Sequence, residues 1–242
     1  MSENIKKIMK AFKVDLDSRE NQSIILKPSA RPFNNQAHQV NEAVKKIHEL
    51  IKNAKHSNDG IILNHNKIKE AFFSPFKPQL KDAQVFLSHS HADKNKALKV
   101  KNYLESETNR RVFIDSLFWD YKDDVLNKLA EYDDISGIED AFTLILRESL
   151  QDMIEKCPYF VFLESKNSVS NQGLSRTTYS AWVYEELNIA NGLIADSALQ
   201  ESRIKAKRVS HNITNLLKRF KSISLDGLCK KISFNFITKD LE

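Results

Sequence analysis

An indole and a carboxylate four residues apart are the most chemically suggestive pair in this chain. In Thr178-Tyr-Ser-Ala-Trp-Val-Tyr-Glu-Glu-Leu187 the spacing predicts a helix, and Trp182 and Glu186 fall on one face of it. Before it come an apolar run, Tyr159-Phe-Val-Phe-Leu163, that reads as a buried strand, and a polar, turn-rich loop, Glu164 to Arg176. A strand, a loop and a helix carrying an aromatic beside an acid can hold a cationic heterocycle on a sugar. On spacing alone the plainer account is a solvated helix acid and a core indole.

Three polar segments can meet that helix. Phe86-Leu-Ser-His-Ser-His-Ala-Asp93 ends one apolar run and opens a helix, Asp115-Ser116 ends a second run, and Glu164-Ser165 ends the third. In an open parallel sheet, ligands bind beyond the carboxyl ends of the strands, so these segments can share one crevice with Trp182 and Glu186. Ser88, His89 and Ser90 lie where free helix-start N–H groups and the helix dipole favour a phosphate. Capping by Ser90 or Asp93 explains the same residues. His89 and His91 suggest a metal, but no further His/Cys cluster accompanies them, and none is expected. The five glycines are isolated: there is no GxGxxG, no GxxxxGK[ST] and no GxSxG. A Rossmann dehydrogenase and a P-loop NTPase are disfavoured.

The elements that must position these residues alternate. Ala83–Ser88, Arg111–Asp115 and Tyr159–Leu163 read as strands, and Asp93–Glu105, Ala141–Lys156 and Thr178–Gly192 as helices. Short apolar strands between helices imply an α/β fold with a parallel sheet covered on both faces. Residues 1–80 read as a helical N-terminal region and 81–242 as the α/β domain. In the first region Ile5, Ile8, Met9 and Phe12 predict a short helix, Asp15 to Phe33 an extended linker, and Val40, Val44, Ile47, Ile51 and Ala54 a second helix. Asn64 to Phe73 predicts a third, stopped by Ser74-Pro-Phe-Lys-Pro78. Toward the end, Ser197 to Phe220 predicts a helix and Lys231-Ile-Ser-Phe-Asn-Phe-Ile237 a last strand.

Hydrophobic residues make up 41% and charged residues 29% of the 242, so the chain should fold. The net charge is +5, and between Glu201 and Lys231 nine Lys/Arg stand against two acids. That stretch reads first as the solvated face of an amphipathic helix; a nucleic-acid partner is the rival and is not expected. Two cysteines, Cys157 and Cys229, with no CxxC, suit a reducing cytoplasm. No apolar leader and no run of membrane-spanning length occurs, so a soluble cytoplasmic protein is expected.

Taken in order, Val85-Phe-Leu-Ser-His-Ser-His-Ala-Asp93, Val112-Phe-Ile-Asp115, Phe160-Val-Phe-Leu-Glu-Ser165 and Ser180-Ala-Trp-Val-Tyr-Glu-Glu-Leu187 resemble the Toll/interleukin-1 receptor (TIR) domain family, most of all its stand-alone bacterial members. The likeness covers residues 83 to 192. The first segment is similar to the family's first box, the second precedes its BB loop, and the last is similar to its Ser-x-Trp-x-x-x-Glu-Leu helix. The resemblance implies a flavodoxin-like fold and cleavage of the nicotinamide–ribose bond of NAD⁺, by an NAD⁺ glycohydrolase or ADP-ribosyl cyclase. It puts the catalytic carboxylate at Glu186 rather than Glu185. It makes Ser88, His89, Ser90, Asp115, Ser116, Trp119 and Trp182 the substrate-binding candidates, with NAD⁺ as substrate and no separate cofactor. It also implies antiphage defence, self-association through TIR surfaces, and a downstream effector that senses the product.

The chain departs from the family pattern twice. Ser116 to Asp140 is longer than a usual BB loop, and its Trp119-Asp-Tyr-Lys-Asp-Asp124 cluster reads as a lid, an acceptor pocket or an assembly contact. No fourth parallel strand is evident after Gly192. The rival reading is a TIR module that self-associates without turnover.

Overall fold

Five short segments pair side by side into one parallel sheet, and two of the five come from parts of the chain where the sequence pattern does not announce a strand. The computed structural model describes residues 9–26, 37–54, 56–57, 60–61, 63–74, 82–132, 134–135, 138–172, 175–194 and 210–237. The chain divides into two units. One is built from Met1–Arg31, Ala83–Asp115 and Gln151–Glu242, the other from Pro32–Asp82 and Ser116–Leu150.

The first unit opens with strand β1 (Lys10–Asp15) and helix α1 (Arg19–Ile25). The second unit follows with α2 (Ala37–Lys52), the antiparallel pair β2 (His56–Ser57) and β3 (Gly60–Ile61), and α3 (His65–Phe73). The chain returns through β4 (Ala83–Ser88), α4 (Lys94–Thr108) and β5 (Arg111–Ile114), then leaves for α5 (Ser116–Leu129) and most of α6 (Glu139–Lys156). It comes back for β6 (Tyr159–Glu164), the hairpin β7 (Ser170–Gln172) and β8 (Ser175–Thr178), and α7 (Ala181–Leu193). It ends with β9 (His211–Asn212), α8 (Thr214–Lys218), β10 (Lys221–Ser222) and α9 (Leu225–Ile237).

The sheet order is β10-β1-β6-β4-β5, and every neighbouring pair is parallel. Its centre is apolar because strands buried on both faces have no solvated side to fill with polar residues. Tyr159 to Leu163 are all buried, and so are Val85, Phe86 and Leu87. Phe86 and Phe160 are register partners whose rings stack with centroids 5.4 Å apart. Each such side chain is worth about 1.5–3 kcal/mol of burial. On one side α4 packs against β5, α1 and α9. It buries Ala97, Val100 and Leu104 and ends at Asn109, whose φ of 51° is a left-handed cap that asparagine tolerates. A second small sheet, β7-β8-β9, is antiparallel and leads into α7.

The second unit has its own core. Phe72 of α3 meets Phe142 of α6 edge-on with centroids 5.1 Å apart, and Tyr121 of α5 donates its hydroxyl to the Phe72 carbonyl at 2.8 Å. Burial against α2 and α3 pushes the Tyr121 phenol far above its usual range.

Strands β4, β5 and β6 and helices α2, α3, α4, α6 and α7 fall where the sequence predicts them. Several expectations need correction, among them the extended linker from Asp15 to Phe33, which holds helix α1 over Arg19–Ile25, while residues 27–36 lie outside the described residues. The helix predicted from Ile5 to Phe12 is, over Lys10–Asp15, a strand between β6 and β10; residues 1–8 lie outside the described residues. Phe12, Val14 and Leu16 alternate inward, and pairing on both edges overrides the helical spacing. The division at residue 80 changes with it, because β1 and α1 belong with the sheet while 116–150 join 32–82.

Ser116 to Asp140 is not a long loop over most of its length. Tyr121, Val125, Leu126 and Leu129 give it the buried stripe of a helix, α5. The predicted last strand is the second half of α9, since Leu225, Leu228, Cys229 and Ile232 form one inward stripe while Phe234 is 66% exposed. Of the helix predicted over Ser197–Phe220, residues 197–209 lie outside the described residues; the remainder holds β9 and the one-turn α8. Among the described residues no helix is long and apolar enough to cross a membrane.

Candidate functional site

Parallel register brings the first polar residues past β4 and β5 together. Leu87 pairs with Ile114, so Ser88 and His89 emerge from the sheet beside Asp115. The fourth member arrives from elsewhere. The β7–β8 hairpin leads the chain to Ser180, which caps α7 by accepting from the Val183 N–H at 3.2 Å. The buried face of α7 then carries Val183, Glu186, Leu187, Ala190 and Asn191. Glu185 is half-buried, so the register selects Glu186.

The four residues are 0–5% exposed: Ser88 0%, His89 2%, Asp115 5% and Glu186 0%. Buried polar groups normally find partners, and leaving one unmet costs about 1–3 kcal/mol. Here both Glu186 oxygens, both His89 ring nitrogens, Ser88 Oγ and Asp115 Oδ1 lack a hydrogen-bond partner among the described residues. His89 Nδ1 does lie 2.9 Å from Asp115 Oδ1, but out of line for a hydrogen bond.

Burial holds the Glu186 carboxyl well above the usual carboxylate range, and the neighbouring charge of Asp115 adds to it. Ser88 acts the other way, favouring the ionised form, without reaching an aligned hydrogen bond. Among the described residues no group of three His, Cys, Asp or Glu is arranged to hold a metal ion.

The other sequence candidates divide. Ser90 is half-buried at the turn before α4 and makes no side-chain cap. Ser116 is buried, its hydroxyl without a partner among the described residues, and as the first residue of α5 it belongs to the second unit. Trp119 is in the same helix, and its side chain lies outside the described residues. Trp182 sits one turn before Glu186 and is half-buried, so it borders the buried face rather than lying on it.

Asp93 stands at the N-cap of α4, but its side chain makes no cap hydrogen bond there. It is 1% exposed and accepts hydrogen bonds from the Ser165 hydroxyl and, at 2.9 Å, the Asn167 amide, with Lys96 Nζ 3.4 Å away. This latch ties the turn after β4 to the loop after β6, and Glu164 at the end of β6 is paired with Arg176 of β8. Sequence spacing gives no sign of the Asp93 latch or of the His89–Asp115 contact, because each joins segments far apart in the chain.

The arrangement offers one acid that can ionise when a positive charge approaches, a second carboxylate beside it, an imidazole on that second carboxylate, and a hydroxyl. Compared with protein-family models, curated proteins and solved structures, the chain matches none.

Proposed function

We propose that the chain is a TIR-like enzyme that cleaves the nicotinamide–ribose bond of NAD⁺, with Glu186 as its catalytic carboxylate. The observation that carries the reading is the fully buried, partnerless Glu186 carboxyl beside Asp115 and Ser88. Glycoside cleavage usually needs one acid to protonate the leaving group and one carboxylate at the sugar. Nicotinamide leaves a pyridinium as a neutral molecule, so the first role falls away. One carboxylate can then orient the ribose hydroxyls and stabilise oxocarbenium character. The positive charge of the bound substrate favours the ionised form of Glu186 at the moment it is needed.

Strand order supports the same reading. Counted from β4, the sheet runs second, first, third, then β1, then β10. That order supports a flavodoxin-like reading with the N-terminal strand in the fourth place, in which the switch point would lie at the ends of β4 and β6. The helix at Ser116–Leu129, where the family has its BB loop, is this chain's own feature. At 0–5% exposure the four residues admit a substrate only when their cover moves. The cellular role that goes with this activity is a nucleotide signal in antiphage defence, passed to an effector in the cytoplasm.

The test is nicotinamide release from NAD⁺, followed by chromatography, by purified wild type, Glu186→Ala and Glu185→Ala. The wild type and Glu185→Ala are expected to turn over at similar rates and Glu186→Ala not at all. Equal turnover by Glu186→Ala and wild type removes the proposal. If the wild type releases nothing but assembles into oligomers, the self-association module takes its place.

A further inference from the structure

The reading of Glu186 as the catalytic carboxylate leaves His89 and Asp115 without distinct tasks. The geometry gives them to each other first. His89 Nδ1 stands 2.9 Å from Asp115 Oδ1, with the two side chains 0% and 7% exposed. His89 Nε2 has no partner among the described residues. Asp115 and Ser88 are the groups that act on Glu186 from the ends of β5 and β4. Along α7 the residues buried with Glu186 are Val183, Leu187, Ala190 and Asn191, none of them charged.

Two carboxylates brought together out of water cannot both ionise comfortably unless a third group carries opposing charge. His89 is the group in contact with one of the two. Resting on the function proposed above, we propose that His89 and Asp115 form a positioning dyad: in its protonated form the imidazole offsets the Asp115 charge, so that Glu186 is free to hold a negative charge against the sugar. Neither member touches the reacting atoms. Both act through Glu186, and they do so where the sequence suggests substrate-lining residues.

The dyad makes opposite demands on its two members. Asp115→Asn removes the competing charge and keeps the shape, so Glu186 should give up its proton at lower pH. His89→Gln removes the neutralising group and leaves Asp115, so Glu186 should hold its proton to higher pH. Two readouts check this on the full chain. One is the NMR titration of the Glu186 side-chain carboxyl carbon without substrate. The other is the pH profile of nicotinamide release.

Opposite displacements of the Glu186 midpoint, by about one pH unit or more in each variant, are expected. The rising limb of kcat should follow them, with KM within about twofold of wild type. Midpoints that stay put, or move the same way in both variants, overturn the dyad, as does a large rise in KM with an unmoved limb, which marks direct contact with substrate. Midpoints that part as expected while the wild type releases no nicotinamide keep the dyad and remove the NAD⁺ reading. Should His89→Gln fail to fold, Asp115→Asn decides alone, and an unmoved or raised midpoint counts against the dyad.

Discussion

Asp93 and Glu186 are two acids at the same depth with opposite surroundings. Asp93 is 1% and Glu186 0% exposed. Asp93 receives the Ser165 hydroxyl, the Asn167 amide and the Lys96 ammonium, and Ser165 Oγ in turn accepts the N–H groups of Asn167 at 3.0 Å and Ser168 at 3.2 Å. Glu186 receives no hydrogen bond from any described residue. A buried carboxylate is tolerable when donors surround it and costly when they do not. Asp93 therefore belongs to the architecture, fastening the ends of β4 and β6. Glu186 weakens the fold it sits in, and such groups persist where a site requires them.

The sharpest break between the two is in turnover. Glu186→Gln keeps the shape of the side chain and removes its charge, and nicotinamide release should fall at least about a hundredfold, the scale on which removal of a single electrostatic stabiliser acts. Its circular dichroism and melting temperature should not fall. A comparable loss of turnover with a collapsed melting transition would make Glu186 a second Asp93.

Asp93→Ala should do the reverse. It strands the Ser165 hydroxyl and the Asn167 amide, at a cost of about 2–4 kcal/mol. For a chain of this length that is a fall of roughly 5–15 °C in melting temperature. Turnover per folded molecule should stay within the same order of magnitude. Thermal unfolding of the variant decides it, and an unchanged melting temperature would show that the latch contributes nothing.

How far each acid can be read from sequence follows from where its neighbours lie. Tyr159–Leu163 and Val85–Leu87 announce themselves because strands buried on both faces are unbroken apolar runs. Trp182 and Glu186 are legible through helix spacing, which is local, and the resemblance selects Glu186 over Glu185. Non-local pairing is what hides the rest. Six residues, Lys10–Asp15, satisfy either period, and only the edges of β6 and β10 settle them as a strand. Two paired residues in β10 are too few to carry a pattern. Ile232 and Phe234 alternate in the sequence, yet the stripe from Leu225 to Ile232 keeps them in a helix. The His89–Asp115 contact follows from the register of β4 on β5, which no spacing within either strand reveals.

The smallest effect is on stability, and its sign separates the two acids once more. Burial, then Asp115, make the folded protein hold the Glu186 proton more tightly than the unfolded chain does. Between the ordinary glutamate range and the raised folded value, the native state binds more protons than the unfolded state. Stability contributed by this group is therefore complete below about pH 4 and declines as pH rises through that window. Glutamine has no proton to lose. Glu186→Gln should match wild type at pH 4 and become progressively more stable than it toward neutral pH, by about 1 kcal/mol or more, a gain of roughly 2–4 °C. Asp93→Asn should show no such gain, because the donors around Asp93 are set to receive a carboxylate. Melting temperatures of the three proteins between pH 4 and 8 check both statements. A Glu186→Gln curve parallel to wild type across that range would mean that the carboxyl is as well solvated, or as well partnered, as Asp93.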